Sequence, residues 1–418
     1  MQERESTALK PMALRVNKQQ MYTLSVALLV LSRIQFGSTH IGDLLGEGIA
    51  DMASNLLLVC ALTVLLLLAF SRRYPKDRLP GFLFCTGIIG LSWFKCRATN
   101  LLIGFLYLYY SDAVRDKKRF ARAMILLFTS VIALTGLLSV SGLIGTTIKQ
   151  RAVNDTTRYS LGFGHANHLG IMVFVIICMV FFIESDRRRF GKYWKYGISA
   201  LLTLGTFLVT NTFSFLALSM MLMGTSFAYD AVLSKAKLLP AQARRFIRTG
   251  LVIFGALIGA VVYYIWKNPY ILTGGLKTLR TRFLLSQKYI TAYGIKPFGS
   301  RIVIGTDVTI PGFPSGYYYL DNGFVRLFVE SGFVAGILVL FGMLRLLLNL
   351  IRHARWQQLI IVLCILAYLF NEQKMITVFF NPFWLLMRDN IFASERSEFR
   401  RLAQIVPEIE KTFDGLWR

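Results

Sequence analysis

Acidic residues are scarce in this sequence. It has 22 Asp and Glu in 418 residues, and charged residues of all kinds make up only 17%, whereas soluble domains carry about 25%. Hydrophobic residues make up 55% of the chain, and the mean hydropathy is +0.54. Few charges among long apolar runs predict a polytopic membrane protein, and they exclude a soluble enzyme and a disordered chain.

Cysteine is scarce as well, and several familiar motifs are absent. There are 5 cysteines and no CxxC pair, which excludes a disulfide-stapled secreted domain and predicts buried thiols. The sequence has no Walker A, Rossmann, nucleophile-elbow or DxD motif. We therefore expect no nucleotide hydrolysis, no cofactor and no metal-dependent acidic site.

What the sequence does have is a series of apolar stretches. A helix needs about 20 residues to cross a bilayer, and twelve candidate spans occur. They lie at 21–36, 52–70, 80–94, 98–111, 123–141, 167–183, 196–209, 211–229, 249–266, 331–350, 357–370 and 374–390. These spans predict an all-α, polytopic integral membrane protein in which 1–418 forms a single transmembrane domain.

The basic residues indicate an orientation. The net charge is +25. With the loops taken alternately, one set including both termini holds 32 Lys and Arg and the other set holds 14. Cytoplasmic loops collect Lys and Arg, so both termini are predicted to be cytoplasmic. Most of the positive charge thus indicates orientation and does not point to nucleic acid.

Two outer segments stand out from the short loops. They are 142–168, a polar loop of moderate length, and 267–330, the only long loop. Within the long loop, Leu276, Leu279, Phe283 and Ile290 fall on one helical stripe, which predicts a short interfacial helix. The tail 391–418 is mixed in charge and is predicted to be a cytoplasmic surface helix.

The outer face keeps an excess of basic residues. Its 14 Lys and Arg face eight acidic residues, although the topological bias works against cations there. An anionic ligand would explain this excess, because arginine binds phosphate oxygens through its planar fork. The alternative is that these side chains snorkel to lipid headgroups.

The segment RYSLGFGHANHLG (158–170) is the most informative. His165 could act as a general base near neutral pH; alternatively, the segment is simply a polar helix start that Asn167 or His165 caps. His165 and His168 are spaced as half of a metal site would be, but no third ligand is visible. A second segment, 311–326, has three tyrosines followed by Asp321 and Asn322, which suits carbohydrate or an aromatic interfacial belt.

The first segment resembles the motif R-x-x-L-G-F-x-H-P-N-x-x-G of bacterial polysaccharide polymerases of the Wzy type, in the O-antigen polymerase and ligase superfamily. The matching residues are Arg158, Leu161, Gly162, Phe163, His165, Asn167 and Gly170, and Ala166 stands where the family has proline. The stretches 320–324 and 330–332 resemble the family's later signature. The elements at 370–372 and 381–383 resemble its closing spans.

This resemblance implies a membrane glycosyltransferase (GT-C-like) fold with one large outer loop. It implies a metal-independent enzyme that joins undecaprenyl-diphosphate-linked repeat units during capsule, exopolysaccharide or O-antigen biosynthesis. Donor and acceptor are both lipid-linked glycans in a bacterial cytoplasmic membrane, and the active site faces the outside. A chain-length regulator is a further partner that the resemblance allows.

The resemblance also implies roles for individual residues. A diphosphate leaving group needs cations, and the candidates are Arg158, Arg280, Arg282, Arg301 and Arg326. The acceptor hydroxyl needs a base, for which His165 is the first candidate, followed by Asp321 and Glu372. Sugar would be positioned by Asn167, Asn322, Tyr317 and Tyr318.

Two other functions stay open from the sequence. A ligase would share the fold and donor and would transfer finished glycan to another acceptor. A flippase or other transporter of lipid-linked oligosaccharides belongs to a different class, and such proteins commonly show repeated halves and broken helices near the bilayer midplane. Here the polar candidates cluster at the outer face instead.

Overall fold

The computed structural model describes residues 17–71, 79–151, 156–183, 193–232, 267–272 and 277–392, together with the single residues 249 and 264. These residues are mostly helical, with two short antiparallel β-hairpins. The prediction of a helical protein is confirmed. The two hairpins were not predicted.

The first half of the chain is a series of helices with one hairpin. Its helices are α1 (Lys18–Val30), which continues into a π-helical segment (Leu31–Phe36), α2 (Ile41–Leu45), α3 (Glu47–Phe70), α4 (Leu79–Cys96), α5 (Thr99–Tyr110), a 3-10 turn (Ser111–Ala113), α6 (Lys117–Val140), α7 (Ala166–Ile183), α8 (Trp194–Thr210) and α9 (Phe213–Val232). Strands β1 (Ile148–Arg151) and β2 (Thr156–Tyr159) lie between α6 and α7. Side-chain caps begin two of the helices, since Asn17 accepts from Gln19 N and Asp116 accepts from Arg119 N.

The second half carries the long loop and the closing helices. Its elements are a 3-10 turn (Pro269–Ile271), α10 (Lys277–Tyr293), β3 (Gly305–Ile310), β4 (Phe313–Tyr318), α11 (Gly323–Glu330), α12 (Phe333–Arg352), α13 (Trp356–Asn371), a 3-10 turn (Gln373–Ile376), α14 (Phe383–Leu386) and α15 (Arg388–Phe392). The helix predicted within the long loop is confirmed as α10. Phe283 on its apolar stripe is only 2% exposed.

Among the described residues, five helices are long and apolar enough to cross a membrane, namely α3, α4, α6, α7 and α12, and α13 is a shorter apolar helix. Every predicted span before residue 230, and those at 331–350 and 357–370, falls on a helix. The span at 249–266 and most of the tail 391–418 lie outside the described residues.

The predicted span at 374–390 is wrong as a continuous helix. This segment forms only the 3-10 turn and the short helices α14 and α15. Pro382 has no backbone N–H, and two side chains pin the chain here. Asn381 Nδ2 and Trp384 Nε1 both donate to the carbonyl of Met375, at 3.0 and 2.8 Å. Hydrogen bonds from buried side chains thus replace some of the backbone hydrogen bonds that a continuous helix would have.

Helix α7 forms the centre of the bundle. Within its apolar stretch 89% of the residues are buried, and it packs against α6, α8, α9 and α13. A helix that is apolar all round belongs inside a protein or a membrane. The residues at its N-terminal end are therefore held firmly, and these are the His165–Asn167 residues of the first motif.

The long loop has a small hydrophobic core of its own. Its buried members are Leu285, Tyr289, Ile310, Tyr318 and Leu320. Tyr289 Oη shares its one proton between the carbonyls of Val303 and Tyr318, which lie 2.8 and 3.1 Å away, and this joins α10 to the hairpin of β3 and β4.

The expectation of buried thiols needs one correction. Cys96, Cys178 and Cys364 are buried, but Cys60 is exposed and Cys85 is intermediate. Cys60 lies on α3, whose outward face is rich in exposed leucines, so an apolar stretch in the sequence did not imply burial within the protein.

Candidate functional site

The first motif is fixed by a turn against the end of the first helix. Gly162 has φ +79°, and a Cβ there would meet Ile144 Cδ1 at 2.8 Å, so the turn requires glycine. The Gly162 carbonyl accepts from His40 N at 2.8 Å, and Gly164 N donates to the Ser38 carbonyl at 2.9 Å. Phe163 between them is fully buried. This anchoring places His165 and Asn167 at the start of α7.

The guanidinium of Arg158 faces protein atoms on three sides. Its Nε donates to the Thr210 carbonyl at 2.9 Å, and its Nη2 donates to Asn167 Oδ1 at 2.8 Å and to Thr212 Oγ1 at 2.9 Å. Three of the five donors of an arginine are thus engaged within the chain. Arg158 therefore ties the motif to the α8–α9 turn and orients Asn167.

Asn167 connects the first motif to the segment that follows α13. While its Oδ1 accepts from Arg158, its Nδ2 donates to Glu372 Oε2 at 3.1 Å. The two partners fix the orientation of the amide, because one accepts and the other donates. A chain of hydrogen bonds thus runs from Arg158 through Asn167 to a carboxylate that is only 6% exposed.

His165 acts as a cap in this geometry. Its Nδ1 accepts from the backbone N of Asn167 at 3.1 Å, which satisfies one of the N–H groups that a helix start leaves unpaired. With Nδ1 accepting, the proton of the neutral ring resides on Nε2. In this tautomer Nε2 carries the proton and has no lone pair free to accept another, which suits a general base poorly.

A second carboxylate lies beside Glu372. Asp321 Oδ2 is 3.7 Å from Arg282 Nε, and Arg282 Nη1 donates to Asn371 Oδ1 at 3.0 Å. Arg282 thus links α10 with the loop before α11 and with the end of α13. Burial raises the pKa of Glu372, and the charge of Asp321 raises it further. Burial also raises the pKa of Asp321, against the opposing effect of Arg282.

Lys374 completes the group on the far side of Glu372. Its ammonium is hydrogen-bonded to His168 Nε2 and lies 4.8 Å from the centre of the Phe380 ring. Burial lowers the pKa of Lys374 to about 8, although Glu372 and Asp321 oppose the shift. Near neutral pH the lysine is therefore mostly charged, and it loses its proton in mildly alkaline solution.

We call these residues the central polar cluster: Arg158, His165, Asn167, His168, Arg282, Asp321, Asn371, Glu372 and Lys374. Sequence reasoning named six of them as site residues and assigned no role to Lys374, His168 or Asn371. One signal for Lys374 was present, because it is a lone lysine in a very short predicted outer loop.

The other predicted site residues lie around this cluster in different settings. Arg326 is paired with Glu330 at 2.5 Å, and its charge acts on both Asp321 and Lys374. Arg280 lies over the Tyr270 ring at 5.8 Å, and Arg301 is exposed. Neither is hydrogen-bonded or ion-paired to the cluster among the described residues.

The remaining predicted sugar-binding residues also differ in their surroundings. Asn322 caps α11, since its Oδ1 accepts from Phe324 N and Val325 N at 3.1 Å each. Tyr318 is buried in the small core of the long loop. Tyr317 is 54% exposed, with its ring centre 4.7 Å from that of Tyr319. Of these three, only Tyr317 offers an open aromatic face to a sugar.

The arrangement holds two carboxylates of raised pKa among three cations, Arg282, Lys374 and Arg158. Within the described parts of the chain, no three His, Cys, Asp or Glu side chains are grouped to hold a metal ion. Such a cluster can exchange a proton at a carboxylate and can stabilise negative charge close by. No protein family profile matches this chain, and neither a curated protein nor a solved structure is significantly similar to it.

Proposed function

We propose that the chain is a polysaccharide polymerase that joins lipid-diphosphate-linked repeat units at the outer face of a bacterial cytoplasmic membrane. In this proposal the chain has a GT-C-like architecture with about twelve crossings and both termini in the cytoplasm, and the broken segment that follows Lys374 serves as the last crossing. The observation that carries the proposal is the link Arg158–Asn167–Glu372. It joins the first motif to the closing segment across 205 residues.

The chemistry follows from the charges of the central polar cluster. The acceptor hydroxyl oxygen forms a bond to the anomeric carbon of the donor glycan while the bond from that carbon to the diphosphate breaks. The lipid diphosphate leaves with the electron pair, and the hydroxyl proton passes to a carboxylate. Cations beside the carboxylates would stabilise the departing charge, and our candidates are Arg282, Lys374 and Arg326.

The hydrogen bonds favour Glu372 over His165 as the base. His165 Nδ1 is occupied by the start of α7, whereas Glu372 is held by Asn167 and has a raised pKa. A carboxylate whose pKa is shifted towards the working pH is a better base. Arg158 is then a positioning residue that acts through Asn167.

The test is polymerisation by the purified protein in phospholipid nanodiscs supplied with synthetic undecaprenyl-diphosphate-linked repeat units. A ladder of products at multiples of the repeat unit supports the proposal. Transfer of preformed polymer to a different acceptor without a ladder would indicate a ligase. Movement of the lipid across vesicles with no new glycosidic bond would indicate a transporter.

Two variants separate the candidate bases in the same assay. Glu372→Gln should abolish the ladder, and His165→Asn, which can still cap the helix, should retain it. The opposite pattern would return the role of base to His165.

A further inference from the structure

A buried tyrosine lies one helical turn before Glu372. Tyr368 is on the last turn of α13, and its backbone carbonyl accepts from Glu372 N at 2.8 Å. Its side chain is only 2% exposed. Its ring meets that of Phe174 on α7 edge to face, with the ring centres 5.0 Å apart. Tyr368 is therefore fixed between α13 and α7, beside the central polar cluster.

The hydroxyl of Tyr368 is unpaired. Its Oη is buried and has no hydrogen-bond partner among the described residues, although burying a phenolic O–H without a partner is costly. The charges that act on this hydroxyl belong to the cluster, namely those of Glu372, Arg282 and Arg158. A buried polar atom in such a place calls for a partner that the protein itself does not supply.

Gly170 leaves room next to this hydroxyl. It is the last residue of the first motif and lies on α7, where a Cβ would be 3.6 Å from Tyr368 Oη and 3.3 Å from Phe215 Cβ. In a helix the Cα–Cβ bond tilts towards the N-terminus, and the N-terminal end of α7 carries Asn167. A side chain at 170 would therefore extend from beside the hydroxyl towards the hydrogen bond between Asn167 and Glu372.

Helices α7 and α13 thus meet in two successive layers. The first layer is the hydrogen bond from Asn167 Nδ2 to Glu372 Oε2, and the second is Gly170 with the hydroxyl of Tyr368. Along either helix the layers are three or four residues apart, which is about 4.5–6 Å at 1.5 Å per residue. Two hydrogen bonds of about 2.8 Å each, made through one water molecule, span such a distance.

We propose that one water molecule lies between Tyr368 Oη and the carboxylate of Glu372, and that Tyr368 acts through it as a positioning residue for the base. The phenol donates to the water, and the water donates to the carboxylate. A buried carboxylate without such a donor stays protonated to higher pH, and a protonated carboxyl cannot take the proton of the acceptor hydroxyl. This inference rests on the proposed function, in which Glu372 is that base.

Other groups also act on Glu372, and a test of Tyr368 has to leave them in place. Replacing Tyr368 with phenylalanine keeps the ring against Phe174, removes only the hydroxyl and changes none of these groups. They are Asp321 before α11, Lys374 in the turn that follows α13, Arg282 on α10, Tyr317 on β4 and, through hydrogen bonds to Asn167 and Lys374, Arg158 on β2 and His168 on α7.

The experiment follows the carboxyl groups of the substrate-free, full-length protein in phosphatidylcholine nanodiscs by infrared difference spectroscopy as the pH is changed. The band that Glu372→Gln removes identifies Glu372. In Tyr368→Phe the midpoint of this band should move to higher pH by about one unit, because the ionised carboxylate loses a hydrogen-bond donor. The acid limb of the pH profile of kcat/KM should move in the same direction.

Tyr22→Phe is the matched control. Tyr22 is also fully buried, and its hydroxyl donates to the carbonyl of Tyr107 at 2.6 Å, where α1 meets α5. Losing this hydrogen bond should lower the midpoint of thermal unfolding and leave the titration of Glu372 unchanged.

Gly170→Ala covers the case in which Tyr368→Phe fails to fold. Its added methyl group enters the space beside the hydroxyl, so the titration of Glu372 should move in the same direction as in Tyr368→Phe. A folded Tyr368→Phe protein with the natural titration would overturn the proposal, and a gain in its thermal stability would show that the hydroxyl was buried dry. If Tyr368→Phe does not fold, an unchanged titration in Gly170→Ala overturns the proposal instead.

The titration needs no lipid-linked substrate, so the role of Tyr368 and the polymerase fail separately. A shift in Tyr368→Phe, in a protein that forms no glycosidic bond, contradicts the polymerase alone. A protein that polymerises repeat units but shows no shift in Tyr368→Phe contradicts the role of Tyr368 alone.

Discussion

Replacing Glu372 with glutamine separates its charge from its shape. The glutamine oxygen can still accept from Asn167 Nδ2, which lies 3.1 Å from Glu372 Oε2, so the link to Arg158 should persist. The side chain is 6% exposed, and a neutral amide is cheaper to bury than a carboxylate. We therefore expect the free energy of unfolding to change by less than about 1 kcal/mol.

The rate should respond very differently. A general base contributes about 10²–10⁴-fold, so single-turnover polymerisation by Glu372→Gln should fall by at least about a hundredfold. Glu372→Ala is the contrast, because it leaves the buried Asn167 amide without this acceptor and should cost about 1–3 kcal/mol. Thermal unfolding in detergent and quenched-flow product analysis measure the two effects. A glutamine variant that keeps a large part of the natural rate would refute the role of Glu372 as base.

Three more predictions concern the same region. The polymerisation rate should fall above about pH 8, because Lys374 has a pKa of about 8 and loses its proton there. Lys374→Arg should extend activity to higher pH, which a rate profile across pH 6–10 measures. Arg158→Lys should lower the rate about tenfold with little change in substrate affinity, because it loses the fork that holds Asn167; equal rates would show that the charge alone suffices. Gly162→Ala should destabilise the protein by about 1–3 kcal/mol in thermal or denaturant unfolding, owing to its positive φ, whereas Gly136→Ala, with open space beside it, should not.

Apolar patterning predicted most helices because it depends on local sequence. It was wrong for 374–390, where the chain is as apolar as a span but is bent by Pro382 and pinned by Asn381. Composition could not show that side chains would bond to the Met375 carbonyl. Such bonds depend on residues that meet only after folding.

Only part of the site was predictable, because its contacts also join residues that meet only after folding. Arg158, Asn167 and Glu372 were named from the sequence, but the direct link between them spans 205 residues and could not be read from spacing. His165 was expected to be the base, and the structure shows it capping α7. A histidine before a helix fits either role, and the comparison of Glu372→Gln with His165→Asn decides between them.

The small core of the long loop has a consequence for how this protein could vary. Leu285, Tyr289, Ile310, Tyr318 and Leu320 bury one another apart from the main helical core. Substitutions on the exposed side of the hairpin, where Tyr317 lies, therefore need not disturb the packing of the helices. In the proposed polymerase, related proteins could change the surface that we propose meets the glycan at this hairpin while keeping the buried carboxylates unchanged. Recognition of the sugar and the chemistry of transfer would then evolve on separate parts of one chain.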